Sequence, residues 1–133
     1  MAVVNLNGVV IRHTFLSFQG LLDLALNSHV FLAPSVTAAD GDAEGTPFVL
    51  QQLMATAMPV IATDHSDIPF LFGGLSHLLV PERNAEAIAA RLLEYASAPR
   101  LLEEHGRLFR EQIVSSFDVR ACARKLRDIY DSF

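Results

Sequence analysis

Three short apolar runs constrain this chain more than any other feature. They are HVFLA at 29–33, PVIAT at 59–63 and HLLV at 77–80, and helical patterns or turn formers separate them. Each is too short for a helix and reads as a buried strand. Strands that alternate with helices lie parallel in one sheet and are covered on both faces, which is why they are apolar throughout. The expected fold class is therefore α/β, a partial doubly wound, Rossmann-like parallel sheet followed by C-terminal helices.

The rest of the chain fits that frame. VVNL at 3–6 and VVIR at 9–12 flank Asn7-Gly8, the strongest short-range hairpin signal. Ser17 offers an N-cap for a helix over 18–27. The segment 34–45 is small, polar and rich in turn formers, so it reads as a loop. Thr46 and Pro47 then read as N-cap and first position of a helix that ends near Thr56. A helical turn is expected near 67–72. Asn84 caps a helix whose Ala85, Ile88, Ala89, Leu92 and Leu93 form an apolar face expected to join the core. Pro99 opens a helix to about residue 115. Asp118 caps the last one, with Val119, Cys122, Leu126 and Ile129 on one stripe. The expected organisation is a single domain over 1–133, with an N-terminal strand or hairpin at 1–13, βα units at 15–82 and C-terminal helices at 84–131.

Composition narrows the partners. The 133 residues are 51% hydrophobic and 19% charged, a globular profile able to bury a core without metal or disulfide staples. The net charge of −5 argues against nucleic acid or an anionic membrane as the main partner. The single cysteine, Cys122, forms no intrachain disulfide and suits a cytoplasmic location. No apolar run reaches the ~18 residues a membrane span needs, and no signal peptide is visible. Ligands of open parallel sheets bind where strands end at their carboxyl side. The loop 34–45 follows the strand HVFLA, so physical reasoning alone points to it.

That loop also carries a resemblance. The stretch APSVTAADGDAEGTPFVLQQLMATAMPVIATDHSDIP is similar to the donor-site segment of retaining, GT-B-fold glycosyltransferases of family four, in the branch that builds bacterial exopolysaccharides. Several of that family's motifs occur in order, and LLVPERNAEAIAARL resembles its next strand and helix. The resemblance implies that the chain is the later half of a C-terminal, nucleotide-sugar-binding domain. It implies transfer of a sugar from a nucleotide-sugar to a saccharide acceptor, with no cofactor and no metal. Carried over, Glu44 is the catalytic-site acid that contacts the donor sugar. Gly45 and Thr46, with Pro47 behind them, supply backbone donors at a helix N-terminus that attracts a diphosphate. Gln52 stands where the family has a second glutamate for the ribose, with a plain helix-surface amide as the equal alternative. Ser35 and His65 line the donor cleft, with a loop-capping histidine as the equal alternative for His65.

The sequence departs from the family at Gln52, Ala57, Asp67 and Phe70. Glutamine can still bond a ribose hydroxyl but loses a charge-assisted grip worth about 1–2 kcal/mol. Alanine at 57 costs about 1–2 kcal/mol if that turn needs a positive φ. The resemblance further implies two strand–helix units ahead of this segment, roughly 60 residues, together with the basic pair that neutralises the donor phosphates. Without them the strand HVFLA has an open edge. Three partners would close it: the N-terminal hairpin, a second copy pairing edge to edge, or a separate polypeptide carrying the other half. The chain is accordingly expected to be inactive alone. The alternative is a non-catalytic remnant that serves as a dimerisation or interaction module.

Other features have plainer readings. Asp64-His65-Ser66 has the letters of a hydrolase triad, but three adjacent residues cannot adopt its geometry. Asp40, Asp42 and Glu44 lack the glycine and terminal acid of a calcium loop. Arg120, Arg124, Lys125 and Arg127 read as a solvated helix face.

Overall fold

The computed structural model describes residues 10, 11 and 13–133. The hairpin expected over 1–13 rests on residues 1–9 and 12 and lies outside this set. The first element is helix α1, Phe18–Leu26, and the Ser17 hydroxyl caps it by accepting from the Gly20 amide. Strand β1, Phe31–Ala33, follows and pairs in parallel with β2, Val60–Ala62, in the register Phe31 to Val60, Leu32 to Ile61 and Ala33 to Ala62. Helix α2, Phe48–Ala55, forms the crossover between them. The short α3, Ile68–Phe72, comes next. Three longer helices close the chain: α4, Ala85–Ser97, α5, Arg100–Phe117, and α6, Val119–Tyr130. The architecture is mixed α/β, with a short parallel sheet and C-terminal helices as expected.

Four expectations need correction. The run 77–80 is not a strand. Residues Gly73–Leu78 form a 3-10 helix, and only Val80 joins the sheet, through a single parallel bridge to Thr63. The pair Gly73-Gly74 favours tight turning there, and Gly73 has φ +55°. Secondly, Thr46 does not cap α2. Pro47 occupies the cap position in extended conformation, and no side chain satisfies the first turn. Thirdly, β1 is not fully buried: Leu32 is 41% exposed, because no strand among the described residues covers its outer edge. β2, flanked on both sides, is buried at all three positions.

The fourth correction concerns helix faces. In α4 the buried anchor is Tyr95, which joins Ala87 and Ile88 against Ile61 and Val80, whereas Leu93 is 70% exposed. The face is rotated from the Leu/Ala stripe because Tyr95 carries the largest apolar area and finds a polar partner. Its Oη lies 2.9 Å from Nδ1 of His105 on α5. Burial pushes the Tyr95 phenol up to about 12. Burial likewise holds His105 below its ordinary value, with the nearby Arg91 charge adding to this, so this pair is neutral and interior. In α6 the stripe exists, but no residue of the helix is buried.

The core lies where α5 crosses α2 and the floor of the sheet. Leu50 and Met54 of α2, Val60 and Ala62 of β2, and Ile68, Leu71 and Phe72 of α3 surround Phe109 of α5. Phe72 and Phe109 meet edge to face with centroids 5.1 Å apart. Burying a side chain of this size contributes about 2–3 kcal/mol. The approach depends on Gly106. A Cβ there would stand 2.3 Å from the carbonyl oxygen of Ala57, closer than any real contact allows. Ala57 itself has φ 64°, the left-handed conformation that a glycine would adopt without strain.

These two positions give opposite expectations under urea denaturation. Gly106→Ala should lower the unfolding free energy by about 1–3 kcal/mol, because backbone rather than a flexible side chain blocks the new methyl. Ala57→Gly should raise it by about 1 kcal/mol through relief of strain. A stabilised Gly106→Ala would contradict the packing described.

Candidate functional site

Because β1 and β2 are parallel, Ala33 and Ala62 end at the same edge of the sheet, and the loops that follow them meet there. Thr63, fully buried, pins the first loop to the second. Its hydroxyl donates to the Ser35 carbonyl at 2.6 Å, and its amide donates to the Ala33 carbonyl at 3.2 Å. The Ser35 hydroxyl in turn donates to Glu44 Oε1. The loop 34–45 therefore folds back on itself, and Glu44 is held at its far end, just ahead of α2. The site of a Cβ at Gly45 would lie 3.8 Å from Asp67 Oδ2, so the loop after β2 faces Gly45. The first amides of α2 have no side-chain acceptor, which leaves donors of positive partial charge shortly after Glu44 in the chain.

Ser35, Glu44, Gly45, Thr46 and Pro47 are thus gathered at one edge. Gln52 lies one helical turn further along α2, exposed. His65 has a different place. It is 2% exposed, and its Nδ1 lies 2.6 Å from Glu82 Oε1. An ionised carboxylate only accepts, so Nδ1 carries the proton. Glu82 also accepts from the Thr37 amide at 3.0 Å and from the Thr37 hydroxyl at 3.1 Å. Arg83 donates to the Thr37 carbonyl. The contributions of Glu82, Arg83 and Thr37 were not legible in the sequence. The pairs lie 45 and 46 residues apart, and no local signal joins them. The His65 bond, followed by the Thr37 amide, holds the Glu82 carboxyl below the ordinary carboxylate value.

Among the described residues, no cluster of three or more His, Cys, Asp or Glu could hold a metal ion, and no helix is long and apolar enough to cross a membrane. Elsewhere, α1, β1 and α2 enclose an apolar hollow of about 100 Å³ lined by Leu21, Leu24, Val30, Phe31, Leu53 and Met58. It holds no polar cluster and is remote in composition from the edge where the loops meet.

A parallel β–α–β crossover followed by C-terminal helices defines a Rossmann-like α/β domain. Comparison with known proteins gives the class more closely. Residues 2–98 match the family Glycosyl transferases group 1, and the chain belongs to it. It is 42% identical over 105 residues to the putative colanic acid biosynthesis glycosyltransferase WcaL of Salmonella typhimurium, covering 77% of this chain and 26% of that protein. It is 37% identical over 103 residues to the amylovoran biosynthesis glycosyltransferase AmsK of Erwinia amylovora, covering 77% and 25%. It is 29% identical over 110 residues to the putative teichuronic acid biosynthesis glycosyltransferase TuaC of Bacillus subtilis, covering 83% and 27%. The chain therefore spans about a quarter of the length of these relatives. No solved structure matches the chain significantly.

Glu82 makes the site's integrity pH-dependent. A carboxyl whose folded value is depressed contributes stability that is fully present above the ordinary value of 4.5 and is lost as the pH falls through the lower folded value. In urea titrations the gap between wild type and Glu82→Gln should be widest at neutral pH and close on acidification below about pH 4.5. A gap independent of pH would contradict an ionised Glu82 in the folded chain.

Proposed function

We propose that this chain is the donor-binding part of a retaining, GT-B-type glycosyltransferase that uses a nucleotide-sugar in polysaccharide biosynthesis. The single observation that carries the reading is the Ser35–Glu44 hydrogen bond in front of the uncapped N-terminus of α2. It sets an acid that can accept from sugar hydroxyls beside amides that can meet a diphosphate. In this reading Glu44 contacts the sugar in the reacting complex. Gly45 and Thr46 direct backbone N–H groups at the phosphates, Pro47 sets the turn into α2, and Gln52 reaches the ribose. Ser35 orients Glu44. His65 lies beneath the loop and supports it rather than meeting the ligand directly. Preorganised donors of this kind stabilise the charge that develops on a departing diphosphate. Neither a metal nor a cofactor takes part.

In this reading the acceptor site and the phosphate-neutralising cations of such an enzyme come from outside the donor loop and the helix behind it. On the same reading residues 1–133 bind the donor in the cytoplasm without turning it over, and the acceptor site is supplied by another segment, a partner polypeptide or a second copy. The names of its relatives, colanic acid and amylovoran glycosyltransferases, support a saccharide acceptor. A second reading has one observation in its favour. Among the described residues no strand pairs with the outer edge of β1, and Leu32 of that strand is exposed, as are Leu24 and Leu26 of α1. This fits a non-catalytic interaction module that docks through the sheet edge.

Calorimetric titration of the chain with nucleoside diphosphates and nucleotide-sugars separates the two. The donor reading expects saturable binding, lost in Glu44→Ala and tightened about tenfold in Gln52→Glu as the charge-assisted bond returns. Absence of binding at millimolar ligand would favour the interaction module.

A further inference from the structure

The loop 34–45 has few means of its own to stay ordered. Among the described residues its internal ties are the Ala38–Asp42 and Gly41–Ala38 backbone bonds, the short Asp40 carboxylate contact to the Asp42 amide, and the Ser35–Glu44 bond. It is polar and mostly exposed, and such segments open at low free-energy cost. One carboxylate from the far side of the sheet reaches its middle. Glu82 takes both donors of Thr37, its amide and its hydroxyl, and is itself gripped by a histidine 2% exposed. Arg83, the next residue, closes on the Thr37 carbonyl. Three of the polar groups of Thr37 are therefore held by two adjacent residues.

The backbone around this grip is unusual on both sides. Ser66, next to His65, has φ 46°, and Arg83, next to Glu82, has φ 56°. Two non-glycine residues in the left-handed region cost about 1 kcal/mol or more each. The strain is sustained where the fold needs His65, Glu82 and Arg83 to converge on one loop residue.

We propose that Glu82 is a positioning residue of the donor loop: held by His65, it locks Thr37 and so fixes the Ser35–Glu44 end of the loop in front of α2. The proposal rests on the donor-site reading for its functional consequence, but not for its structural one. Glu82 touches no ligand. It acts through Thr37, and without that hold the loop beyond Ser35, out to Glu44, is tied to the sheet at one point only. The buried Thr63 hydroxyl on the Ser35 carbonyl is the second fixed point, so the loop is clamped on both sides of Val36.

The test uses the full 133-residue chain, labelled with nitrogen-15, as wild type, Glu82→Gln and Thr37→Ala. Backbone order parameters over residues 35–45 should fall from about 0.85 to below about 0.6 in both variants, while those of Ile61 and Ala62 stay unchanged. The Thr37 amide resonance should move upfield in Glu82→Gln as it loses its carboxylate acceptor. In parallel calorimetry with UDP-glucose and GDP-mannose, whichever ligand the wild type binds should bind about tenfold more weakly to Glu82→Gln. Adding Thr37→Ala to Glu82→Gln should cost little more, because both act through one contact. An ordered loop in Glu82→Gln would overturn the proposal, as would undiminished affinity in a variant whose Thr37 resonance has moved. If the wild type binds neither ligand, the donor reading fails by that result alone, and the order parameters still decide whether Glu82 fixes the loop.

Discussion

The contact on which the rest of the structure depends is the crossing of α5 over the end of α2. Among the described residues the sheet has three residue pairs and one bridge, too little hydrogen bonding and too little apolar face to stand alone. What holds it is the cover. Phe109 enters from α5 and gathers α2, α3 and β2 into one cluster, and Gly106 permits that entry by bringing the helix backbone onto the Ala57 carbonyl. The same crossing sets the axis of α2. It thereby sets where the uncapped amides of α2 point, so core packing and site geometry are two ends of one helix.

The site is built in a different currency. Its ties are polar and long in sequence: Thr63 to Ser35, Glu82 to Thr37, Arg83 to Thr37. The first joins the loops that follow the paired strands β1 and β2, and the other two reach across β2 from the segment after Val80; all meet at the carboxyl edge of the sheet. Buried partners, Thr63 and His65, anchor the exposed ones. An exposed acid such as Glu44 thereby gains a fixed position that a free loop would not give it. A polar, mostly exposed loop is in this way kept in place by groups that lie outside it.

What could be read from the sequence was what local chemistry decides. Ser17, Asn84 and Asp118 each offer a short acceptor before a helix, and each caps as expected, on the amides of Gly20, Ala87 and Ala121. The apolar run at 59–63 contains β2, and its burial follows from having neighbours on both sides. The readings that failed were decided by tertiary context. Thr46 lost the cap to Pro47, whose fixed φ suits the extended cap conformation equally well. HLLV alternates too little to distinguish a strand from a tight helical turn, and the glycines ahead of it favoured the turn. The apolar stripe of α4 predicted a face offset from the one observed: Ile88 joins the core as expected, but Tyr95, a single large residue with a polar partner, takes the place of Leu93. Of the candidate site, Ser35 and Glu44 to Pro47 could be singled out because they belong to one contiguous, recognisable pattern. Thr37, Glu82 and Arg83 could not be, since nothing local marks contacts made across 45 residues.

The most direct test of the donor-site account is a chemical-shift map of the labelled chain titrated with a nucleotide-sugar. The account predicts that the perturbed amides cluster at Ser35, Glu44, Gly45, Thr46 and the first turn of α2, with Asp67 at their rim. Perturbations confined to the apolar hollow between α1 and α2, or to the exposed face of α6, would contradict it and move the function of this chain elsewhere.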